Sequence, residues 1–209
     1  EVVLKGASAK APLILAGTGN EISNKKMLIY FDKSYGNAKM EYVTVQNANR
    51  GSNGAGAAIF HEKALTLNNC KFVDCQATYG GAIRGLGELI AIGCSFENCR
   101  ATSAASGNGG GAISNSDGNV MLTDCGFKSC NTSTIGGAIY RGGASKTFKL
   151  KGCTFEENTA KNYGGAIHVA SQNTVDIEDC TFTGNNANTS YGGAVSIGTG
   201  ASVLNMAGN

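Results

Sequence analysis

Two short motifs alternate along most of this chain, and their repetition constrains the fold more than any other feature. The first places a phenylalanine two residues after a cysteine, as in "CKFVDC" at Cys70, and the second is a glycine pair closed by "AI", as in "GGAI" at Ile83. The first cysteines of successive units are separated by 24, 31, 28 and 27 residues. These cysteines are Cys70, Cys94, Cys125, Cys153 and Cys180. A period near 27 residues that tolerates insertions at fixed places is typical of a solenoid.

The spacing of apolar residues within each unit predicts strands. Leu65 and Leu67 precede the first cysteine of their unit, and Val175 and Ile177 precede that of the last unit, two positions apart in each case. Side chains two apart share one face of a strand, and helical spacing is not sustained anywhere. A unit of this length suits one rung of a parallel β-helix, in which each strand pairs with its equivalent ~4.8 Å away. We therefore predict one all-β domain over residues 1–209, with roughly seven to eight rungs.

The repeated residues are expected to stack inside the rod. We predict one aromatic ladder, consisting of Phe72, Phe96, Phe127, Phe155 and Phe182. The first cysteines form a second ladder, and a third consists of Cys75, Cys99 and Cys130, continued by Asn158 and Asn185. Asparagine can continue an internal hydrogen-bond ladder but forms no disulfide, so we interpret the cysteines as buried structural thiols. The Cys-x₄-Cys spacing with a phenylalanine inside favours neither a zinc site nor a redox pair, and we predict no metal and no cofactor.

The alternation of "GGAI" with "FxxN" resembles the repeat of the chlamydial polymorphic outer-membrane proteins, which also occurs in adhesin-like surface proteins of other bacteria, archaea and some protists. The motif is complete at "FEEN" (Phe155–Asn158) and "FTGN" (Phe182–Asn185), whereas the other three units carry cysteine where the family has asparagine. The resemblance covers roughly residues 40–209, and residues 1–39 are expected to form divergent rungs. It implies a right-handed parallel β-helix that is exposed at the cell surface as an autotransporter passenger, usually for adhesion.

The composition of the chain limits which classes of partner it can bind. A formal net charge of +2 gives no electrostatic argument for nucleic acid, and no apolar run is long enough for a membrane helix, so we expect no membrane insertion by this segment. The chain starts at "EVVLKG" without an initiator methionine, and we expect it to be part of a longer, secreted or surface-exposed protein. The expected partners are a host-cell or matrix protein or glycan, and neighbouring parts of the same long chain.

An enzyme of this fold is the main alternative, because polysaccharide lyases and glycosidases also use β-helices. Such chemistry needs acids clustered on one outer face, yet acids never occupy three consecutive rungs beside the cysteines and phenylalanines. The best acidic candidates are Asp124, Glu156, Glu157 and Asp179, but we predict no catalytic residue and a non-enzymatic adhesion or stalk role. A structural glycoprotein of a cell wall or surface filament is a third interpretation, since Asn131 and Asn188 begin glycosylation sequons.

Two further features could mark function. The longest insertion, "TSAASGNG" at Thr102–Gly109, leaves the edge where all variable loops lie, and insertions gathered on one side of a repeat protein often form its binding face. The candidate binding-loop residues are Thr102, Ser103, Ser106 and Asn108, with a flexible Gly/Ser excursion as the alternative. His61 and His168 occupy different positions relative to the repeat and are expected at the surface or an edge.

Overall fold

The chain winds into a parallel β-helix with four sheets along its length. The structure is a computed structural model that describes residues 2–17, 27–51, 54–103, 109–170, 173–198 and 204–208. Its strands are numbered β1 to β27 in chain order, and every strand-to-strand pairing between them is parallel. A short 3-10 turn lies at Lys33–Tyr35.

Each rung runs through the four sheets in a fixed order, which we call sheets I to IV. Sheet I contains β1 (Val2–Lys5), β4 (Ala38–Glu41), β7 (Leu65–Asn68), β11 (Leu89–Ile92), β15 (Val120–Thr123), β19 (Thr147–Lys151), β23 (Thr174–Glu178) and β27 (Leu204–Ala207). Sheet II contains β2 (Leu13–Ala16), β5 (Val43–Gln46), β8 (Lys71–Val73), β12 (Ser95–Glu97), β16 (Gly126–Lys128), β20 (Thr154–Glu156) and β24 (Thr181–Thr183). Sheet III contains β9 (Gln76–Ala77), β13 (Arg100–Ala101), β17 (Asn131–Thr132), β21 (Thr159–Ala160) and β25 (Asn186–Ala187). Sheet IV contains β3 (Ile29–Phe31), β6 (Ile59–His61), β10 (Ile83–Gly85), β14 (Ile113–Asn115), β18 (Ile139–Arg141), β22 (Ile167–Val169) and β26 (Val195–Ile197).

The prediction of a parallel β-helix is therefore confirmed, with eight strands in sheet I and only five in sheet III. Rungs begin before the recognisable repeat, because β1 pairs with β4, β2 with β5 and β3 with β6. In these early rungs Val45 takes the place of the phenylalanine, since it lies directly beside Phe72 in the register of β5 and β8.

The core is one continuous column of inward side chains. Strands such as Leu65–Asn68 and Val120–Thr123 alternate buried and half-buried residues, which is the pattern of a strand with one face inside. The five phenylalanines stack with ring centroids 4.8–4.9 Å apart and interplanar angles of 1–7°. Four of the rings are fully buried, and Phe182 at the end of the stack is half-buried.

Two corners of each of the five repeat units are formed by single residues with left-handed backbone, as they are at Tyr42 and Asn47 in the rung before. The corner residue between sheets I and II lies just before the first cysteine, and that between sheets II and III just before the second cysteine or asparagine. The first set consists of Asn69, Gly93, Asp124, Gly152 and Asp179, and the second of Asp74, Asn98, Ser129, Glu157 and Gly184, all with φ between 51° and 66°. Glycine, asparagine and aspartate tolerate this conformation best, which explains why these positions vary mainly among them.

The glycine pair forms the corner that leads into sheet IV. Gly110, the first of its pair, has a φ of 74°, a conformation that glycine adopts without steric strain. A side chain on the second, Gly111, would collide with the carbonyl oxygen of Gly137 in the next rung. The pair therefore serves a tight turn and a close approach between rungs, as the repeat predicts, and no phosphate-binding role is needed to explain it.

We expect Phe127→Ala to lower the free energy of unfolding by about 3–5 kcal/mol, because the ring is buried between two others and its removal leaves a cavity. Denaturant unfolding followed by circular dichroism measures the change. Phe182→Ala is the matched control: its ring is half-buried and stacks on one neighbour, so the loss should be clearly smaller. Equal losses, or a loss below about 0.5 kcal/mol for Phe127→Ala, would contradict this packing.

Candidate functional site

The eight cysteines are free and buried, and they line two corners of the rod. The backbone amide of Cys70 donates to Sγ of Cys94 in the next rung at 3.4 Å, and the amide of Cys153 donates to Sγ of Cys180 at the same distance. Where the third ladder changes to asparagine, the amide of Cys130 donates to Oδ1 of Asn158 at 3.0 Å. Cysteine and asparagine thus have the same role, because each gives a buried corner amide an acceptor that the strands do not supply.

Most of these thiols lie in an environment that opposes redox or metal chemistry, although the hydrogen bond with Cys94 lowers the pKa of Cys70. Burial raises the pKa of Cys99 well above its ordinary value, and the hydrogen bond with Cys99 together with burial does the same for Cys75. A thiol with a raised pKa is a poor nucleophile and a poor metal ligand at neutral pH, since the thiolate is the reactive form. Within the described residues no group of three or more histidines, cysteines or carboxylates is arranged to hold a metal ion.

The acidic candidates do not converge. Asp124, Glu157 and Asp179 are corner residues with left-handed backbone, and Gly152 separates Asp124 from Asp179 along their ladder. Glu156 lies on the outer face of β20, where it forms an ion pair with Lys128 at 3.1 Å. Glu156 also lines a shallow groove of about 290 Å³ with Glu97, Lys71 and Lys128, and the other three candidates are not part of its lining.

A different acidic pair, not singled out from the sequence, lies on the outer face of sheet I. Asp176 and Glu178 are two residues apart on β23 and line a shallow depression of about 260 Å³ with Lys149 and Asn205. Glu178 accepts from Nζ of Lys151 at 3.0 Å, and Asp176 accepts from Nδ2 of Asn205 at 2.6 Å. Their i, i+2 spacing in "TVDIE" was the available signal. Both carboxylates have a hydrogen-bond donor from a neighbouring rung.

Sheet IV carries polar residues on its inner face, which corrects the expectation for His61. His61 is fully buried at the third position of β6, and the register stacks it with Gly85, Asn115 and Arg141. A side chain at Gly85 would collide with Nε2 of His61 and Nδ2 of Asn115, so glycine makes room for both. In each unit the residue two positions after the repeated isoleucine points inward, as the isoleucine does. The two-residue period of the strand therefore predicts that His61 is buried.

These inward polar groups contact the loops that follow sheet IV. Nδ1 of His61 lies 2.8 Å from the carbonyl oxygen of Lys63, and Nδ2 of Asn115 donates to the carbonyl of Gly87 at 2.9 Å. Nη1 of the buried Arg141 donates to the carbonyls of Asn115 and Gly142. Nε2 of His61, Oδ1 of Asn115, and Nε and Nη2 of Arg141 have no hydrogen-bond partner among the described residues.

The outer face of sheet IV combines aromatic and cationic side chains in one ladder. Its members, from the first strand to the last, are Tyr30, Phe60, Arg84, Ser114, Tyr140, His168 and Ser196. The rings of Tyr30 and Phe60 lie 5.5 Å apart, and those of Tyr140 and His168 stack 6.0 Å apart at 4°. We call this ladder, together with Tyr163 and Tyr191 beside it, the aromatic face.

Tyr163 and Tyr191 extend the aromatic face at the edge of the variable loops. Each stands directly before a glycine pair, and their rings are 6.3 Å apart, with Tyr163 also 6.1 Å from His168. Tyr191 is 78% exposed and Tyr163 is 40% exposed. With Ser196 and Ile197 they line a groove of about 340 Å³, open along the rod. Tyrosine precedes the glycine pair in three of the five units, at Tyr79, Tyr163 and Tyr191, and this was the signal available in the sequence. The ladder on sheet IV itself has no such repeat.

The predicted binding loop lies at the same edge, but its described part belongs to the wall of the rod. The hydroxyl and amide of Thr102 both donate to the carbonyl of Ala77, and the amide of Ser103 donates to that of Thr78. Ser106 and Asn108 lie outside the described residues. Of the two sequon asparagines, Asn188 is exposed and Asn131 is half-buried on β17.

The family model described as "Right handed beta helix region" matches residues 18–209. The chain therefore belongs to the right-handed β-helix family. The match supplies the handedness that the parallel pairing alone leaves open, and the predicted right-handed parallel β-helix is confirmed. It does not extend to the chlamydial or autotransporter type.

One curated relative is similar to most of this chain. The metabotropic glutamate receptor-like protein R of Dictyostelium discoideum is 32% identical over 154 residues, which is 73% of this chain and 9% of that protein. The β-helix thus corresponds to a small part of a much longer relative. No solved structure matches the chain. Across the described ranges, no helix is long and apolar enough to cross a membrane.

For the thiols we expect the native β-helix to resist alkylation, because all eight cysteines are at most 3% exposed. Denaturation without a reductant should then make all eight react, which intact-mass spectrometry counts directly. A reduced sample of the same protein is the control and should give the same count. Labelling that rises only after reduction would show disulfides and contradict the free-thiol ladders.

For the two histidines we expect acid to destabilise the β-helix. Burial lowers the pKa of His61 and of His168 to about 4, against 6.5 for the ordinary side chain. Between these values the unfolded chain binds more protons than the folded one, so stability is complete above pH 6.5 and falls as the pH drops toward 4. The linkage amounts to about 2 kcal/mol per histidine between pH 7 and pH 5.

The measurement is the denaturation midpoint as a function of pH in the wild type and in His168→Asn. We expect the variant to lose roughly half of the decline between pH 7 and pH 5, because only His61 then remains. Since the chain has 2 histidines, their ring resonances can also be titrated individually. A midpoint that does not change over this range, or a ring titrating near 6.5, would contradict the buried neutral state.

Proposed function

We propose that this β-helix is a non-catalytic recognition module of a larger, extracellular surface protein, and that it adheres through the aromatic face of sheet IV. The carrying observation is that exposed and half-buried rings lie along one side of the rod: Tyr30, Tyr163 and Tyr191 are exposed, Phe60 and His168 are half-buried, and Tyr140 is buried between them. Adhesion in this form needs no reacting group, only a rigid surface that presents many contacts at fixed spacing.

The aromatic side chains are suited to such contacts. Tyrosine offers a large apolar ring with a polar hydroxyl, which makes it a favoured residue at interfaces. Two tyrosine rings lie open beside the groove at Ser196, so a partner can bury them without rearrangement of the core. The backbone ladder fixes the spacing between rungs, which keeps the conformational cost of binding low.

The relatives agree with a surface role. The Dictyostelium protein is receptor-like by name, and the GGAI/FxxN repeat resembles that of outer-membrane adhesins. We extend this setting to the chain: the β-helix stands outside the cell, either as an adhesin or as the stalk of one, as in an autotransporter passenger. Its partners would then be a host-cell or matrix protein or glycan, together with neighbouring parts of the same chain.

Two observations favour other functions. The depression with Asp176, Glu178 and Lys149 is the best place for a polysaccharide lyase or glycosidase, since it combines two carboxylates with a lysine on an outer face. The exposed sequon residue Asn188 favours a structural glycoprotein of a cell wall or filament. Against catalysis, each carboxylate already has a partner: Lys151 donates to Glu178 and Asn205 donates to Asp176.

To test the proposal, binding of the β-helix to cells and to a glycan array is compared between the wild type and Tyr163→Ala/Tyr191→Ala. We expect the double variant to bind at least tenfold more weakly, because truncating exposed aromatic anchors removes about 1 kcal/mol or more each. Ile92→Ala, which removes a 45% exposed apolar side chain from sheet I, is the control and should bind as the wild type does.

The enzyme alternative is tested with the same preparations. Acidic and neutral polysaccharides are incubated with the wild type and with Asp176→Asn, with and without Ca²⁺, and released oligosaccharides are measured. We expect no product from either protein. Turnover by the wild type that Asp176→Asn abolishes would replace the adhesion proposal with a catalytic one, and equal binding by the double tyrosine variant would exclude this end of the aromatic face.

A further inference from the structure

We infer that Arg84 forms an anion subsite in the middle of the aromatic face and that the ligand is an acidic saccharide, which carries a carboxylate or sulfate on its rings. This inference rests on the proposed adhesion function and names the chemistry of its ligand. The inference depends on how the guanidinium of Arg84 is held, on the charges around it, and on the aromatic rings beside it along the ladder.

The guanidinium of Arg84 is fixed by neutral groups. Nη1 donates to Oγ of Ser114 at 2.7 Å and Nη2 donates to Oγ of Ser116 at 2.9 Å, both on the next rung. Two of its five N–H donors are thereby used, and the hydroxyl of the half-buried Ser116 keeps its own proton for a further acceptor. The serines orient the guanidinium without neutralising it.

No carboxylate among the described residues forms a salt bridge with this charge either. The salt bridges among the described residues all join a lysine to a carboxylate, and none includes Arg84. Glu62 lies near this end of sheet IV, but it turns to the rung below, where it accepts from Tyr30 at 2.9 Å and from the amide of Lys33 at 3.1 Å. Arginine remains charged in proteins, and a half-buried cation without an anionic partner is unfavourable.

The surroundings of Arg84 supply donors and ring faces. Burial lowers the pKa of Arg84, and the neighbouring tyrosines Tyr140 and Tyr79 act in the opposite direction. Along the ladder, Phe60 lies on the rung before Arg84 and Tyr140 lies two rungs after it. Tyr30 is 48% exposed and Phe60 is half-buried, whereas Ser114 and Tyr140 are buried, so the accessible ring faces lie on the rungs before Arg84. A cation with free N–H groups next to such ring faces matches a chain that alternates anionic groups with ring faces.

An acidic saccharide fits this arrangement better than an acidic peptide. Successive rungs are ~4.8 Å apart, about the length of one pyranose unit, so a linear glycan along the rod would place about one sugar on each rung. The apolar face of a pyranose can stack on tyrosine or phenylalanine, while its carboxylate or sulfate accepts from the guanidinium fork. Oligoglutamate would offer Arg84 the same carboxylate, but no flat ring face for Tyr30 and Phe60 on the preceding rungs.

The test measures the binding of three oligosaccharides and one peptide by calorimetry: oligogalacturonate as the carboxylate probe, a heparin-type oligosaccharide as the sulfate probe, a neutral galactan oligomer, and oligoglutamate. We expect one or both acidic saccharides to bind, and to bind more weakly as salt is raised, because the contact is an ion pair near the surface. The neutral oligomer should bind at least tenfold more weakly.

Arg84→Gln should weaken binding of the acidic saccharide about tenfold or more, because charge-assisted hydrogen bonds to the anion are lost. Arg100→Gln is the matched control: it removes the same charge from the next rung, on the outer face of sheet III, and affinity should stay within about twofold of wild type. Arg84→Lys keeps the charge but loses the fork, so it should fall between them. An unchanged denaturation midpoint verifies the fold of each variant.

Several outcomes would overturn the inference. They are equal affinity for neutral and acidic oligosaccharides, equal losses for Arg84→Gln and Arg100→Gln, tighter binding of oligoglutamate than of either acidic saccharide, and no saccharide binding at all.

If cells or neutral glycans still bind through Tyr163 and Tyr191 while Arg84→Gln changes nothing, the proposed adhesion function stands and only the acidic ligand is excluded. If the tyrosine variant also binds normally, both fail. Should Arg84→Gln not fold, the salt dependence and the acidic-over-neutral preference of the wild type decide alone.

Discussion

The in-register parallel hydrogen bonding between one rung and the next is the constraint on which the rest of this structure depends. It places each residue directly beside its equivalent in all four sheets, so a side chain inside the rod packs mainly against the same position of the neighbouring rung. Only residues that pack well against their own kind, or that hydrogen-bond along the axis, can be repeated there. Phenylalanine stacks on phenylalanine at 4.8–4.9 Å, and the amide of Asn158 donates to Oδ1 of Asn185 at 3.0 Å.

This constraint explains why the interior could be predicted from the sequence. The period of about 27 residues, the phenylalanines and the glycine pairs all report positions that face the core or turn a corner, and each of them recurs in every complete rung. Even the exchange of Cys130 for Asn158 follows, since both side chains sit at the corner where a buried amide needs an acceptor. The handedness came from the family and not from the spacing.

The outer surface could not be predicted in the same way, because no stacking rule acts on it. The second residue of the sheet IV strands changes from Phe60 to Arg84 to Ser114 along the rod. No periodic pattern in the sequence predicts that such different residues form one face. Only the register shows that they share one ladder. Outer ion pairs such as Lys128 with Glu156 are exposed and contribute little to stability, so the stability of the rod constrains the outer residues much less than the inner ones.

The buried polar residues of sheet IV show how the same constraint can be relaxed locally. In a solenoid each rung contacts only its neighbours, so an exception affects two or three rungs and not the whole core. His61, Asn115 and Arg141 all stand where a strand ends and an irregular loop begins, and each contacts a carbonyl of such a loop. Loops of unequal length leave carbonyls that no neighbouring strand can pair, and inward polar side chains satisfy several of them.

The desolvation of Arg141 offsets part of the stabilisation that the core contributes, and its hydrogen bonds fix the loops at the end of sheet IV. The outer ladder lies on the same short strands. The inward hydrogen bonds that fix these strands therefore also fix the positions of Arg84 and Tyr140 on the outer face. The rigidity of the aromatic face thus comes from the polar residues beneath it as well as from the apolar core.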